Sequence, residues 1–252
     1  MSHLNTDRLA HQDLVQVLEF CEVCMSCKSN KELHPRILDF AHYLGFEFVL
    51  YAYQKHDYKK QATVEFVNLS NPVEWMEEYH ENNYVMHDPV RMELEARLAK
   101  KESHSSIHWD TYDRELSNQE KEIIERRSSF GLRYGFSVFD NSVPQSSVFL
   151  ISFADKNSRV DERCQNMGRI IVPHLNRCRK RLDIVMLVDQ LTTREKVVAR
   201  WVAEGKTNWE IAKIINVSAG TVKFHVANIF RKLGVPNRQG AIAVLLALRL
   251  LS

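Results

Sequence analysis

Apolar residues recur every three or four positions in a segment near the end of the chain. Val222, Val226, Ile229 and Leu233 follow this spacing after Ser218, which predicts a helix with a capped start and one buried face. A rotation of about 100° per residue places the following residues on the opposite face or its flanks: Gly220, Thr221, Lys223, Phe224, Ala227, Asn228, Arg231 and Lys232. Such a face suits a DNA major groove, where Asn and Arg read base edges and Lys binds phosphates. An ordinary solvated helix face is the alternative.

Two further helices are predicted immediately upstream. Thr192 with Glu195, and Thr207 with Glu210, have the spacing of a capping box. We expect the first helix to bury Val197, Val198, Trp201 and Val202, and the second to bury Ile211, Ile214 and Ile215. Together with the segment after Ser218 they predict a helix-turn-helix.

A fourth helix is predicted after Asn237, and it is almost entirely apolar. Its apolar residues are Ala241, Ile242, Val244, Leu245, Leu246, Leu248, Leu250 and Leu251. This is more than packing on the other three helices requires, so we expect a contact between two copies of the chain.

The segment LTTREKVVARWVAEGKTNWEIAKIINVSAGTVKFHVANIFRKLGVPNRQGAI resembles the tetrahelical DNA-binding domain of the LuxR type. The resemblance covers roughly the last 65 residues and is dense. It implies that Lys223, Phe224 and Ala227 lie at base-contact positions. With the face described above, the expected DNA-binding residues are Thr221, Lys223, Phe224, Ala227, Asn228, Arg231 and Lys232.

The first part of the chain alternates between helical and strand patterns. Helices are predicted at about 7–25 and 29–44, in a short segment after Asn71-Pro72 that contains Trp75 and Tyr79, after an extended or turn segment at Asp88-Pro89 up to about 101, and at 117–131, with a long helix from about 161. Strands are predicted at 46–54, 62–69, 134–139 and 148–154, the first two as a hairpin, and a polar loop leads to Trp109. The predicted class is therefore α+β, an α/β/α sandwich around an antiparallel sheet followed by an all-α four-helix domain. We expect a sensor domain at 1–178, a linker at 179–189 and the DNA-binding domain at 190–252.

Charge separates the same two regions. The chain of 252 residues carries a net +2, but residues 186–252 alone carry +6, which leaves −4 for the rest. A positive DNA-binding end predicts binding that weakens as salt rises. No apolar run reaches the roughly 18 residues of a membrane span, and the first residues lack the apolar core of a signal peptide. We therefore expect a cytoplasmic protein without a membrane partner.

Three cysteines, Cys21, Cys24 and Cys27, have a spacing that iron–sulfur or zinc sites also use. We expect packing rather than metal binding, because Leu14, Val17, Leu18, Cys21 and Met25 fall on one predicted helical face with Cys24 beside it. Cys164 and Cys178 stand alone in the sequence. Neither a metal nor a disulfide is predicted.

Candidate ligand chemistry lies in the first region. Trp75, Tyr79, Asp88, Trp109 and Ser152 occupy different predicted elements and are most simply brought together around one cavity. Such a cavity suits a small neutral amide, because a carboxylate accepts from an amide N–H while Trp and Tyr donate to carbonyl oxygens. The alternative is that Trp75 and Tyr79 only fill a core and that Asp88-Pro89 only forms a turn.

The same residues, with Gly131 and Gly135, resemble the motif of the acyl-homoserine-lactone-binding domain that accompanies LuxR-type DNA-binding domains. The resemblance implies that Trp75 donates to the lactone carbonyl, Asp88 accepts from the ligand amide, Tyr79 and Trp109 line the pocket, and Ser152 bonds the amide carbonyl. Two features depart from the family. Asn71 stands where many members carry a Tyr, leaving space that an altered ligand or Tyr53 would fill, and the interval from Asp88 to Trp109 is longer than usual.

Other function classes fit less well. The sequence lacks the His-rich run of metal-dependent lactonases, a G-x-S-x-G elbow and a Gly-rich phosphate loop, so we expect no enzyme and no cofactor. A phosphorylated response regulator would begin with a strand ending in paired acidic residues, whereas the first strand here ends in Gln54-Lys55. We expect a dimeric regulator that binds double-stranded DNA, an acyl-homoserine lactone and RNA polymerase. A regulator that senses another small molecule or a protein partner is the alternative.

Overall fold

The computed structural model describes residues 9–56, 62–102, 104–112, 114–142, 148–157 and 159–251. The chain divides into two compact units, and the division falls between Asn176 and Arg177. Within the described residues, no helix combines the length and the apolar character needed to cross a membrane.

The first unit is built on a sheet whose five described strands lie in the order β2-β1-β5-β4-β3. The strands are β1 Phe48–His56, β2 Ala62–Asn68, β3 His104–His108, β4 Tyr134–Asp140 and β5 Phe149–Asp155. The pairs β1 with β5, β5 with β4, and β4 with β3 are antiparallel. Strand β3 corrects the prediction of a polar loop before Trp109. Its sequence, HSSIH, has a single strongly apolar residue, Ile107, and therefore lacks the alternation that predicts a strand. It lies at an edge of the sheet.

Helices cover both faces of this sheet, so the predicted α/β/α sandwich is confirmed. The helices of the unit are α1 His11–Ser26, α2 Asn30–Leu44, α3 Val73–Glu81, α4 Pro89–Ala99, α5 Asn118–Ser129 and the first part of α6 Glu162–Asp189. Residues of α3, α4 and α5 form one buried cluster with the face of the sheet that carries Phe139 and Ala154. The opposite face is packed by α2 through the His34–Tyr51 contact and by α6, whose Gly168 lies against Val138.

The buried face of α1 differs from the predicted one. Leu18 and Met25 are 68% and 70% exposed, whereas Val17, Phe20 and Cys24 are buried. The face is rotated because α1 packs on α2 through Phe20, and because buried Asp13 accepts hydrogen bonds from Arg163 and Tyr43. Among the described residues, none of the five cysteines forms a disulfide, and no cluster of metal-binding side chains occurs.

The second unit contains the predicted four-helix domain. Its helices are α7 Thr193–Ala203, α8 Asn208–Ile214, α9 Ala219–Leu233 and α10 Arg238–Leu251, and α6 runs through residues 179–189. Both predicted capping boxes form, and Val222, Val226, Ile229 and Leu233 are buried as predicted. The expectation that Val197 and Ile214 are buried was wrong, because they lie on outer helix faces and are 37% and 45% exposed. The predicted contacts of Leu248, Leu250 and Leu251 lie outside the described side chains.

Candidate functional site

A hydrogen bond joins α3 to the start of α4. Asp88 caps α4, with Oδ1 accepting from the Val90 N–H at 2.8 Å. Its second oxygen, Oδ2, accepts from the Tyr79 hydroxyl at 2.7 Å. Burial, followed by the charge of Asp88, raises the pKa of Tyr79 well above its ordinary value. Each carboxylate oxygen has two lone pairs, so Asp88 retains capacity to accept one more N–H.

Aromatic rings surround this pair. The Trp75 ring lies 5.6 Å from Tyr79, 5.8 Å from Tyr84 and 5.7 Å from Phe130, measured between ring centroids. Trp75 is 5% exposed and Tyr79 9%. They face inward together because they are one helical turn apart on α3. Trp75 and Tyr79 are therefore part of one packed aromatic cluster.

Trp109 connects the same cluster to the middle of the sheet. Its indole Nε1 donates to Ser137 Oγ at 2.9 Å, and Ser137 Oγ lies 2.7 Å from Ser152 Oγ. The two serines are directly opposite in the β4–β5 register. Gly135 permits this arrangement, because a Cβ there would lie 2.7 Å from the Trp109 ring and 2.6 Å from the Phe153 carbonyl oxygen.

Three polar residues at this site were missed by the sequence analysis. They are Ser137, Tyr112 and Arg127. Ser137 could have been predicted, since it lies two residues after Gly135 and so on the same face of a predicted strand, and the next predicted strand carries Ser152. Arg127 is 4% exposed, and its Cζ lies 4.2 Å from the centroid of the Trp109 ring. Nothing in a helical pattern signals a buried Arg, because Arg is a residue type that is mostly exposed.

Two predicted ligand-binding residues lie elsewhere. Tyr53 is opposite Phe149 in the β1–β5 register, whereas Ser152 is opposite Leu50. Because side chains alternate along a strand, Tyr53 is on the other face of the sheet, next to Tyr51. The prediction for Tyr53 is therefore corrected. Asn71 lies in the turn before α3, where its backbone N–H donates to Asn68 Oδ1 at 2.8 Å. In the described part of the chain, no hydrogen bond joins its side chain to the cluster.

Helix α9 presents a second candidate site. Ser218 caps it by accepting from the Thr221 N–H at 3.0 Å, and Gly234 ends it in the left-handed conformation with a φ of 66°. Opposite the buried face, Thr221, Lys223, Phe224, Ala227 and Arg231 are exposed and Asn228 is half-buried. Phe224 is 64% exposed on this face.

Lys232 has a different environment from these residues. Its Nζ donates to Glu195 Oε2 at 2.6 Å and to the Gln190 carbonyl at 3.1 Å. Burial alone would raise the pKa of Glu195, but the hydrogen bonds from Lys232 and Thr192 lower it overall. Lys232 thus holds α9 against the start of α7 rather than projecting with the exposed face.

The fold and the two sites define a sensor domain followed by a helix-turn-helix domain. Comparison with known proteins agrees. The model of the autoinducer binding domain matches residues 29–176, and that of bacterial regulatory proteins of the luxR family matches residues 189–245. The chain belongs to the LuxR family of quorum-sensing transcriptional regulators, which are ligand-responsive DNA-binding proteins and not enzymes.

Individual relatives match over most of the chain. The transcriptional activator VanR of Vibrio anguillarum is 29% identical over 91% of this chain and 95% of its own length. AnoR of Acinetobacter nosocomialis is 30% identical over 88% and 93%, respectively. Among solved structures, SdiA in complex with octanoyl-rac-glycerol has a TM-score of 0.56 and 25% identity, with 95% of each chain covered.

Proposed function

We propose that this protein is a quorum-sensing regulator that binds an N-acyl-homoserine lactone in its first unit and a dyad-symmetric DNA site as a homodimer. The observation that carries the ligand assignment is the convergence of Trp75, Tyr79, Asp88, Trp109 and Ser152 on one buried cluster with donors and a carboxylate in place. The proposed domain boundaries are those expected above, at 1–178, 179–189 and 190–252.

The polar groups of the cluster match the amide N–H, the amide carbonyl and the lactone carbonyl of such a ligand. Asp88 accepts the ligand N–H, and Trp75 donates to the lactone carbonyl. Trp109 donates to Ser137, so Ser137 can donate to Ser152, and Ser152 is then left with a free O–H for the amide carbonyl. Tyr79 and Trp109 enclose the ligand with apolar surface.

Ligand binding regulates the protein by mass action in this proposal. A ligand that binds only the folded sensor stabilises it by an amount that grows with ligand concentration. Because the proposed ligand lies among the packed rings of the sensor unit, its binding also completes the packing of that hydrophobic core. The dimeric, DNA-competent population then rises.

The DNA assignment rests on α9. Its exposed face carries Thr221, Lys223, Phe224, Ala227, Asn228 and Arg231. Two copies would reach half-sites about one helical turn apart, and the apolar surface of α10, where Leu246 is 39% exposed, is the proposed dimer contact. RNA polymerase is a proposed further partner. A cytoplasmic location follows from the proposed role on DNA.

Mass spectrometry tests the ligand directly. The full chain is purified from cells with and without a lactone-producing strain, and bound small molecules are identified. We expect a lactone only from the first culture, and its addition to ligand-free protein should raise the Tm. The lactone assignment fails if lactones with short, medium and long acyl chains all leave the Tm unchanged.

A different small molecule is the second candidate. SdiA has been solved in complex with octanoyl-rac-glycerol, which has an acyl chain but no lactone or amide. Asn71, in place of a longer Tyr, fits a ligand with a different group at the acyl carbonyl. Mass spectrometry of the same samples separates the two candidates, because an acylglycerol would be recovered from both cultures.

A further inference from the structure

Arg127 is a buried cation at the ligand site. Its side chain is 4% exposed, and the guanidinium lies over the Trp109 ring, 4.2 Å from the centroid. One hydrogen bond, from Nη2 to the Trp109 carbonyl oxygen, spans 3.4 Å. Within the described residues, Nε is buried and has no hydrogen-bond partner. A buried N–H of a charged group that lacks an acceptor is rare in native proteins.

Tyr112 adds a second unpartnered group beside it. The Tyr112 hydroxyl is buried, and its O–H has no acceptor in the described part of the chain. Burial raises the pKa of Tyr112 to about 12, and the charge of Asp88 also raises it, whereas the charge of Arg127 and a side-chain hydrogen bond with Arg127 lower it. The charge of Arg127 also lowers the pKa of Tyr79. The two unpartnered groups therefore belong to the same neighbourhood as the Tyr79–Asp88 pair.

The Arg127 Nε–H and the Tyr112 O–H are both donors without an acceptor among the described residues. A guanidinium carries only N–H donors, and a phenol whose pKa is raised keeps its proton. Asp88 does not supply the acceptor, because its hydrogen bonds among the described residues go to Val90 and Tyr79, and none joins it to Arg127 or Tyr112. The complement of such a pair is an oxygen atom, most strongly one with negative charge.

We propose that Arg127 and Tyr112 together bind an oxygen acceptor on the ligand, a carbonyl or carboxylate oxygen beyond the contacts made by Trp75, Asp88 and Ser152. The proposal rests on the proposed function only in taking the sensor unit to hold a small-molecule ligand. It makes Arg127 and Tyr112 determinants of specificity, which select ligands by their oxygen substituents and not by chain length.

Matched ligand sets test this proposal on the full chain. Each set contains a plain N-acyl-homoserine lactone, its 3-oxo analogue and its ring-opened carboxylate, with short, medium and long chains. Affinity is measured by calorimetry for the wild type, Arg127→Met, Tyr112→Phe and Arg133→Met. Arg133 is exposed and serves as the matched Arg→Met control. Tyr112→Phe removes a single hydroxyl and keeps the ring, so it remains informative if Arg127→Met does not fold.

We expect the wild type to prefer the 3-oxo or the carboxylate member over the plain lactone by about tenfold or more. Tyr112→Phe and Arg127→Met should each reduce that preference, whereas Arg133→Met should retain it. The member preferred shows whether a neutral carbonyl or a carboxylate is the acceptor. Equal losses for all three members would mean that Arg127 only packs on Trp109, and the proposal would be overturned.

The outcomes separate this proposal from the proposed function. If lactones bind but no preference depends on Arg127 or Tyr112, the proposal falls and the lactone function stands. If only carboxylates bind, and bind through these residues, the proposal stands and the lactone function falls. If no member of any set binds, both fall.

Discussion

The Tyr79 hydroxyl and the Asp88 carboxylate are joined by a hydrogen bond of 2.7 Å, although the residues belong to different helices. The bond fixes the rim of the aromatic cluster, because Tyr79 lies within α3 while Asp88 begins α4. It also orients the carboxylate, whose other oxygen caps α4. In the proposed function, ligand binding and local stability therefore both depend on the Asp88 side chain.

Replacement of Asp88 tests this coupling. Asp88→Asn keeps the shape of the side chain but replaces one acceptor oxygen with an NH₂ donor. That NH₂ cannot accept a hydrogen bond from Tyr79, Val90 or the ligand N–H. We expect the lactone affinity to fall by about tenfold or more, and the free energy of unfolding to fall by about 1–3 kcal/mol. Titration calorimetry and urea unfolding measure the two effects. Asp110→Asn, at an exposed position, is the control, and an unchanged lactone titration for Asp88→Asn would remove its assigned role.

Gly135 should be intolerant of any side chain. A Cβ would meet the Phe153 carbonyl oxygen at 2.6 Å and the Trp109 ring at 2.7 Å, so the sheet or the indole must shift. Gly135→Ala should destabilise the chain by about 1–3 kcal/mol and lengthen the Trp109–Ser137 bond, which changes tryptophan fluorescence. Gly220→Ala is the matched control, because its nearest contact would be at an ordinary 3.6 Å. A Gly135→Ala protein as stable as the wild type would show that Trp109 is not held this tightly.

Lys223 should contribute to DNA binding through its charge. It is exposed on α9, and removal of one phosphate contact lowers the dependence of log affinity on log salt by about 1. Lys223→Gln should therefore weaken binding and flatten the salt dependence in fluorescence anisotropy. Arg200→Gln, whose side chain is 72% exposed on α7 and paired with Glu204, should leave the slope unchanged. A slope identical to the wild type in Lys223→Gln would exclude a phosphate contact, leaving base contact as its only role in the interface.

Lys232 should affect stability more than DNA binding. Lys232→Met leaves the buried Glu195 carboxylate without its 2.6 Å partner, so the free energy of unfolding should fall by about 1–3 kcal/mol. Lys196→Met is the control, since its ion pair with Asp189 is exposed and worth about 0–1 kcal/mol. If Lys232→Met keeps full stability but flattens the salt dependence as Lys223→Gln does, Lys232 contacts phosphate after all.

The parts of the fold with local signals were the ones predicted correctly. The capping boxes at Thr192 and Thr207 could be predicted because they are local. Each Thr side chain accepts from the backbone N–H of the Glu three residues later, and that Glu side chain accepts from the backbone N–H of the Thr. Strand β3 was not predicted because its five residues include one strongly apolar side chain, Ile107, which is too few to show the alternation of a strand. The face of α1 was misjudged because Asp13 is buried only by virtue of Arg163, 150 residues away.

The candidate site follows the same division. Trp75 and Tyr79 share a helix face by spacing alone, and their burial followed. Tyr53 was placed on the wrong side of the sheet, because its face depends on the register with β5 and a shift of one residue reverses it. The burial of Arg127 could not be predicted from the sequence, because its contact with the Trp109 ring depends on how the chain folds.

Glu120 should give the sensor unit a measurable acid dependence. The hydrogen bonds from Arg114, with further ones from Ser117, lower the pKa of Glu120 from 4.5 to about 2. Because the pKa of Glu120 is lower in the folded state, its carboxylate stabilises the fold at pH values above the unfolded-state pKa, and this stability is lost as the pH falls from about 4.5 toward about 2.

Glu120→Gln should lower the free energy of unfolding by about 1–3 kcal/mol at neutral pH. The difference from the wild type should shrink across that window, as followed by urea unfolding. Glu125→Gln, at an exposed position on the same helix, should track the wild type, and a Glu120→Gln difference that stays constant with pH would show that the carboxylate is not held by Arg114.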